Sequence, residues 1–593
     1  MRKIFTLLFA LAALVTANAK VVKITLADNT TKVFTTSQLS SIDFNDDGTL
    51  TVTAYNGEVM EALGAEFDNL TIDEEATVYE MRNDTLHFSA DLDGIPLDLH
   101  QDRPMKKINY VYPSTDPFGQ PITMSGSILI PENIWEGEAA SEGIILYNHY
   151  TIFNRIEAPT YGFATLEHMI LANPLNPNYI VVESDFYGFG VTERFPQAFV
   201  QGTHNARASL DALLAARDLL TDMGVDYGPL TFNIGYSSGG FDALSTQKLR
   251  DMEYSDRISF DKTFAGGSPS DLKECYRQYV TIDSTAYNAV PLLLMVSTKE
   301  TQNLDVDYES VFQPYVASRV DRLVISKNYS SWPVCDSIGR EKKIHEILSE
   351  KYCDLNSEES MFIQDLFQKL SITTDWRPDP SQRMYIFHSR DDDYVPVQSA
   401  RPVIGFLKDN GFKPSIIPGA TNLQTNFVVK KMGHLTATLI YLIQTVAALK
   451  AWPMMYTDGQ LNPAYQNIVQ CSPVEMMRYL DSMGFDCRSV INAVMQKLSE
   501  QSGEMPEINV DPTVIQATLV QVLSSMGITM EELAEMKADS GVDLVAVLME
   551  IMQYMNEVPA EPDGEAAQRA MYVEPQTPVV QYEQQLKQWL KMD

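Results

Sequence analysis

The stretch TFNIGYSSGGFDAL, residues 231–244, sets Ser237 between Gly235 and Gly239 in the pattern G-x-S-x-G. A serine hydroxyl is a weak nucleophile at neutral pH. To attack a carbonyl it needs a base to take its proton and a carboxylate to orient that base. Three histidines follow Ser237 in the chain, His345, His388 and His434. His434, in KKMGHLTATL, opens a helical pattern just after the last strand-like run, which is where a base facing a strand end would sit. Asp391, Asp392 and Asp393, in FHSRDDDYVPVQSA, are the acids nearest a strand end. Such a set points to acyl transfer through a covalent serine intermediate. Ser238 follows the nucleophile at a helix start, so its backbone N–H is placed to stabilise a developing oxyanion.

The elements that must hold these residues are also written in the pattern. GIILYNHY, YIVVESDFYGFG, LTFNIGYSS, TFAGGSP, MYIFHSR and KPSIIPG are short apolar runs without polar alternation, and helical patterns such as ASLDALLAARDLLTDMG and GGFDALSTQKLRDM alternate with them. Unalternating strands separated by helices predict a mostly parallel sheet covered on both faces. KKINYVYPS and QPITMSGSILIPENI read as a hairpin ahead of it. Ser237 then falls at a strand-to-helix turn, the context a nucleophile elbow requires. Residues 271–378 break the rhythm with helical segments, which reads as a helical cap inserted over the strand ends. Before the sheet, residues 20–75 alternate apolar and polar positions between Asp, Asn and Gly turns, the mark of a small β-rich module. After it, residues 455–593 form a Met-rich series of helical patterns, more suited to packing a core than to binding a ligand.

Several segments, in order over about residues 105–452, resemble the secretory (fungal-type) lipase family. They are TMSGSILIP, ESDFYGFGVTE with HNARASLDALLAAR, GYSSGGFDAL, and TTDWRPDPSQRMYIFHSRDDDYVP. The resemblance implies an α/β-hydrolase fold over residues 78–452, with the chain order Ser, Asp, His. It matches FHSRDDDYVP to the segment H-G-x-x-D-x-x-V-P of lipases and esterases. His388 then opens the motif, Asp392 is the acid and Val395-Pro396 close it. It places a second oxyanion donor in LYNHYTIF, at Tyr150 or Thr151, where the family carries H-G-T. Tyr150 and Ser389 stand where the family has glycine. The implied activity is carboxylic-ester hydrolysis by Ser237, Asp392 and His434, with no cofactor and no metal. Asp185, Tyr187 and Gly188 are expected to shape a loop near the pocket.

The bulk properties narrow the partners. A formal net charge of −35 disfavours nucleic acid and anionic membrane surfaces. MRKIFTLLFALAALVTANAK reads as a secretory signal peptide over residues 1–19, with Arg2 and Lys3 before an apolar run and Ala17-Asn18-Ala19 at the cleavage site. The expected location is therefore the periplasm, the cell surface or the medium. No later run is long enough to span a bilayer. The five cysteines lack zinc-site spacing, and Cys335 with Cys353 and Cys471 with Cys487 are the local pairs an exported chain could oxidise. The expected substrate is a small-molecule or lipid-like ester, and the covering cap with the Met-rich helices suggests an apolar pocket. Two alternatives share the site pattern: a prolyl-oligopeptidase-type serine peptidase, and a binding protein on a hydrolase scaffold. The sequence leaves oligomeric state open.

Overall fold

The computed structural model describes residues 21–461 except 29, 36, 46–48, 56, 58, 63–66, 74–75, 87–88, 93–94, 99–102, 162–177, 286, 416–421, 429–432 and 458–459. The signal segment, Cys471, Cys487 and nearly all of the Met-rich extension lie outside the described residues. Two compact units are distinguished. One comprises residues 1–412 with 425–447, the other residues 413–424 with 448–593.

The first unit begins with the β-rich module. Strands β1 (Val21–Leu26), β2 (Thr31–Thr35) and β6 (Phe67–Asp73) form one antiparallel sheet, and β3 (Leu39–Phe44), β4 (Leu50–Ala54) and β5 (Val59–Ala62) form another. Val22, Ile24, Leu39, Ile42, Leu50 and Val52 are buried in one cluster. The alternation seen in sequence is thus the two faces of half-buried strands.

The large sheet follows. Its strands are β7 (Thr77–Leu86), β10 (Arg103–Thr115), β11 (Pro121–Pro131), β12 (Gly143–Asn148), β13 (Tyr179–Ser184), β14 (Leu230–Tyr236), β15 (Lys262–Gly266), β16 (Met384–Ser389) and β18 (Leu423–Val428); β8 (Ser89–Leu92) and β9 (Ile95–Asp98) are a separate hairpin. The order across the sheet is β18-β16-β15-β14-β12-β13-β11-β10-β7. Neighbours from β13 through β16 pair in parallel, while β7, β10 and β11 add an antiparallel edge. Every residue of β12, β13 and β16 is buried, which is why those runs carry no polar alternation.

Among the described residues, helices of eight residues or more are α1 (Gly202–Asp222), α2 (Ser238–Leu249), α3 (Leu272–Ile282), α4 (Ala289–Thr301), α5 (Ser331–Ile338), α6 (Glu358–Leu370), α7 (Arg401–Asp409) and α8 (His434–Met455). Helices α3 to α6 lie in the insertion between β15 and β16. In the second unit β17 (Pro414–Ser415) pairs in parallel with Leu423–Gln424, and β19 (Tyr456–Thr457) pairs with β20 (Gln460–Leu461). Of the strand read over KPSIIPG, Pro414–Ser415 form β17, and residues 416–419 lie outside the described residues. No helix among the described residues is long and apolar enough to cross a membrane.

A buried side-chain network locks the centre of the sheet. Asn148 Nδ2 donates to Asn233 Oδ1 at 2.8 Å, and Ser209 Oγ on α1 donates to Asn148 Oδ1 at 2.7 Å. Asn233 Nδ2 donates to Ala243 O on α2 and to Thr263 Oγ1 on β15. Burying these amides is tolerable only because each is hydrogen-bonded. The network fixes β12, β14, β15 and both helices in one register, and so fixes the turn after β14.

The local cysteine pair is not formed. Cys275, Cys335 and Cys353 are free thiols. Cys335 is buried on α5, while Cys353 ends a separate short turn of helix with its Sγ near Leu348 O. Closeness in sequence does not bring two Cα atoms within the ~4.4–6.8 Å a disulfide needs.

Candidate active site

Ser237 sits between the last residue of β14 and the first of α2, with φ 59° and ψ −126°. A non-glycine residue in that region is strained, and such strain persists only where the surroundings enforce it. Here they do. A Cβ on Gly235 would lie 2.0 Å from Gly239 O, and one on Gly239 would lie 2.1 Å from Asn148 O. Both glycines are therefore required by the close approach of strand, turn and helix. Ser237 N donates to Gly266 O at 2.8 Å, tying the turn to β15. Ser237 Oγ makes no hydrogen bond among the described residues.

The acid loop after β16 meets the start of α8. His434 Nδ1 donates to Asp392 Oδ2 at 2.7 Å, and both side chains are buried. Asp392 Oδ1 accepts the backbone N–H groups of Tyr394 (3.0 Å) and Val395 (2.7 Å). Burial alone would raise the Asp392 pKa. The charge and hydrogen bond of His434, with help from His388 and the Val395 N–H, outweigh it and hold the carboxyl below its ordinary value. With Nδ1–H committed to Asp392, the remaining ring nitrogen Nε2 carries the lone pair a base needs.

His434 is fixed from several sides. Tyr236, the residue before Ser237, donates its hydroxyl to His434 O at 2.9 Å, and its ring lies 4.9 Å from the imidazole. Tyr441, two turns along α8, donates to Gly235 O at 2.9 Å. Helix α8, with His434 at its start, is thus held beside the serine turn by bonds to both residues that precede Ser237. The Tyr394 ring stacks on the imidazole at 5.1 Å. Tyr287, from the insertion, stacks on Tyr394 at 4.8 Å, and Tyr279 of α3 donates to Tyr394 O. The helical insertion therefore touches the site.

Asp393 accepts the backbone N–H of His434 at 2.8 Å, capping the first turn of α8. Its position four residues past the end of β16 gives no local sign of a helix start 41 residues on. His388 is fully buried, donates Nε2 to Val395 O at 3.0 Å and lies 3.6 Å from Asp392 Oδ2. It braces the acid loop. His345 is exposed in the insertion and pairs with Asp283 at 2.6 Å, away from Asp392.

On the other side of the turn, Ser238 is buried and its hydroxyl accepts from Thr151 Oγ1 at 3.1 Å. Thr151 is thereby placed next to α2. Tyr150 packs against Ile152, Ala158 and Phe189, and its carbonyl accepts His149 Nδ1–H at 2.8 Å. His149 is buried, and burial pushes its pKa down. Asp185 is buried too and accepts from Ser125 Oγ, Thr160 N and Thr160 Oγ1. Tyr187 stacks on Phe195, and Gly188 takes φ 94° in the turn between them.

Sequence reasoning missed Asp242, one turn into α2. It is buried with a single bond, from Asn205 Nδ2 at 3.1 Å, and burial pushes its pKa up to about 8. It lines a cavity of about 20 Å³ with Ser238, Phe186, Phe189 and Phe199. That is room for about one water molecule.

The comparisons bear on the fold. A provisionally named hydrolase of Legionella pneumophila superposes with a TM-score of 0.52 at 17% identity, covering 60% of this chain and 91% of its own. LipA of Xanthomonas oryzae, a rice cell wall degrading esterase, covers 60% and 92% at 18% identity and a TM-score of 0.48. Lipase A of Candida antarctica in its closed state covers 63% and 84% at 16% identity and a TM-score of 0.42. No protein-family model and no curated protein sequence matches the chain. With its parallel centre, its antiparallel edge and the strained serine after β14, the chain has the α/β-hydrolase fold, and lipases and esterases are among its structural neighbours.

Proposed function

We propose that the protein is an exported serine hydrolase that cleaves carboxylic esters. The observation that carries the reading is the buried Asp392–His434 hydrogen bond beside the strained turn at Ser237. His434 Nε2 takes the hydroxyl proton as Ser237 Oγ attacks the ester carbonyl carbon. The backbone N–H of Ser238 receives the oxyanion, together with a donor at Tyr150 or Thr151. Asp392 holds the imidazole in its tautomer and balances the imidazolium. The tetrahedral intermediate collapses, and the leaving alkoxide takes the proton back from His434. Water then gives a proton to His434 and attacks the acyl-enzyme, releasing the acid and regenerating Ser237. No step calls for a metal or organic cofactor. Export rests on the leader-like residues 1–19.

The test is hydrolysis of p-nitrophenyl acetate, butyrate and laurate by the mature chain beside Ser237→Ala. The reading expects activity lost in the variant with its melting temperature retained, and the chain-length profile of the unaltered chain then begins to name the acyl group. Equal activity in the variant would overturn it.

A further inference from the structure

A second concavity lies away from the serine turn, where the β-rich module faces the hydrolase sheet. Its volume is about 780 Å³, within the ~300–1,000 Å³ range of ligand sites. Lys32 and Tyr55 come from the module, Arg82 from β7, Arg155 and Tyr161 from the segment after β12, Arg194 from the loop before α1, and Lys327 from the insertion. The walls hold these five cations against two carboxylates, Glu80 and Glu193. That excess stands out in a chain whose net charge is −35.

Both carboxylates are already engaged. Glu80 accepts from Arg82 Nη1 at 2.9 Å and from Asn109 Nδ2. Glu193 accepts the Tyr161 hydroxyl at 3.1 Å and lies 4.0 Å from Arg155 Nη1. Lys327 Nζ is bound to Glu193 O and Phe195 O. Arg194 and Lys32 are different. Both side chains are exposed, and among the described residues neither has a carboxylate partner. The Arg194 guanidinium carbon instead lies 4.1 Å from the centre of the Tyr55 ring and 4.4 Å from that of Phe195, within cation–π range of both. Tyr55 and Tyr161 are 55% and 46% exposed, so both rings offer surface to a ligand.

We propose that this cleft binds an acidic oligosaccharide. The unpaired lysine and arginine receive its carboxylate or sulfate groups, the arginine through its planar fork, and the tyrosine rings cover the apolar faces of its sugar rings. An acyl chain would strand the charged walls without partners. A long polyanion such as a nucleic acid would meet the negative charge of the rest of the surface. A short acidic glycan segment meets only the cleft. The β-rich module is then a substrate-anchoring part, set apart from the ester-cleaving serine.

The experiment is isothermal titration calorimetry of the mature full chain with tri-galacturonic acid, a sulfated heparin tetrasaccharide, a neutral galactose trisaccharide and a short DNA duplex. Either acidic saccharide should bind, weaken as salt is raised, and outbind both the neutral sugar and the DNA; which of the two binds tighter names the acidic group. Lys32→Ala/Arg194→Ala and, separately, Tyr55→Ala should raise Kd by about tenfold or more. Neither should alter melting temperature or p-nitrophenyl acetate hydrolysis. The proposal is overturned if neither acidic saccharide binds, if the neutral sugar or the DNA binds as tightly, or if the variants bind like the unaltered chain.

Discussion

Two buried aspartates flank the serine turn, and their surroundings push them in opposite directions. Asp392, in the loop after β16, is wrapped by two backbone N–H groups and the His434 ring, and its carboxyl is held below its ordinary value. Asp242, on α2, has one bond from Asn205, and burial raises it to about 8. Both carboxyl groups are out of water; the count of donors differs. A carboxylate survives out of water only where enough hydrogen bonds and a nearby positive charge replace its hydration. The acid loop is built to hold a charge, and the start of α2 is built to hold a neutral acid.

Removing the charge should have the largest effect. Asp392→Asn keeps the size but loses the tautomer control of His434, and kcat for p-nitrophenyl acetate should fall by roughly 10⁴-fold. Loss under about tenfold would remove Asp392 from the chemistry. Asn205→Ala comes next. It leaves Asp242 without its one donor, and unfolding in urea should report about 1–3 kcal/mol of lost stability. Asp242→Asn should have the smallest effect and the most distinctive one. A folded-state pKa raised to about 8 means that Asp242 contributes stability below its unfolded value, and that this is lost as pH rises towards about 8. The variant should therefore flatten the decline of melting temperature between about pH 5 and pH 8. An unchanged slope would show that Asp242 is ionised throughout. Asp392 has the opposite sign: its contribution is present above its unfolded value and lost as pH falls below it.

Parts of this contrast were legible in the sequence, for a physical reason. The apolar runs of β12, β13, β14 and β16 announce a sheet covered on both faces, and G-x-S-x-G announces a turn too tight for side chains at Gly235 and Gly239. Chain order and family resemblance then singled out Asp392 and His434, the two residues that the structure joins by a hydrogen bond. What stayed illegible depends on contacts between distant segments. Asp242 looks like any polar residue on a helix until Asn205 is folded onto it from α1. Asp393 caps a helix far along the chain. The Asn148–Asn233 pair crosses two strands 85 residues apart, with no periodicity to mark it. The cleft at the β-rich module needs five segments at once, and Cys335 and Cys353, a pair the spacing allowed, are free thiols because sequence spacing carries no Cα–Cα distance.

The central claim is that Ser237 is a nucleophile activated by His434. Its most direct test is intact mass after treatment of the mature chain with a fluorophosphonate, followed by peptide mapping. The account predicts a single adduct on the peptide containing Ser237, absent from Ser237→Ala and strongly slowed in His434→Ala. No adduct on the folded chain, or an adduct on another residue that persists in Ser237→Ala, would contradict it.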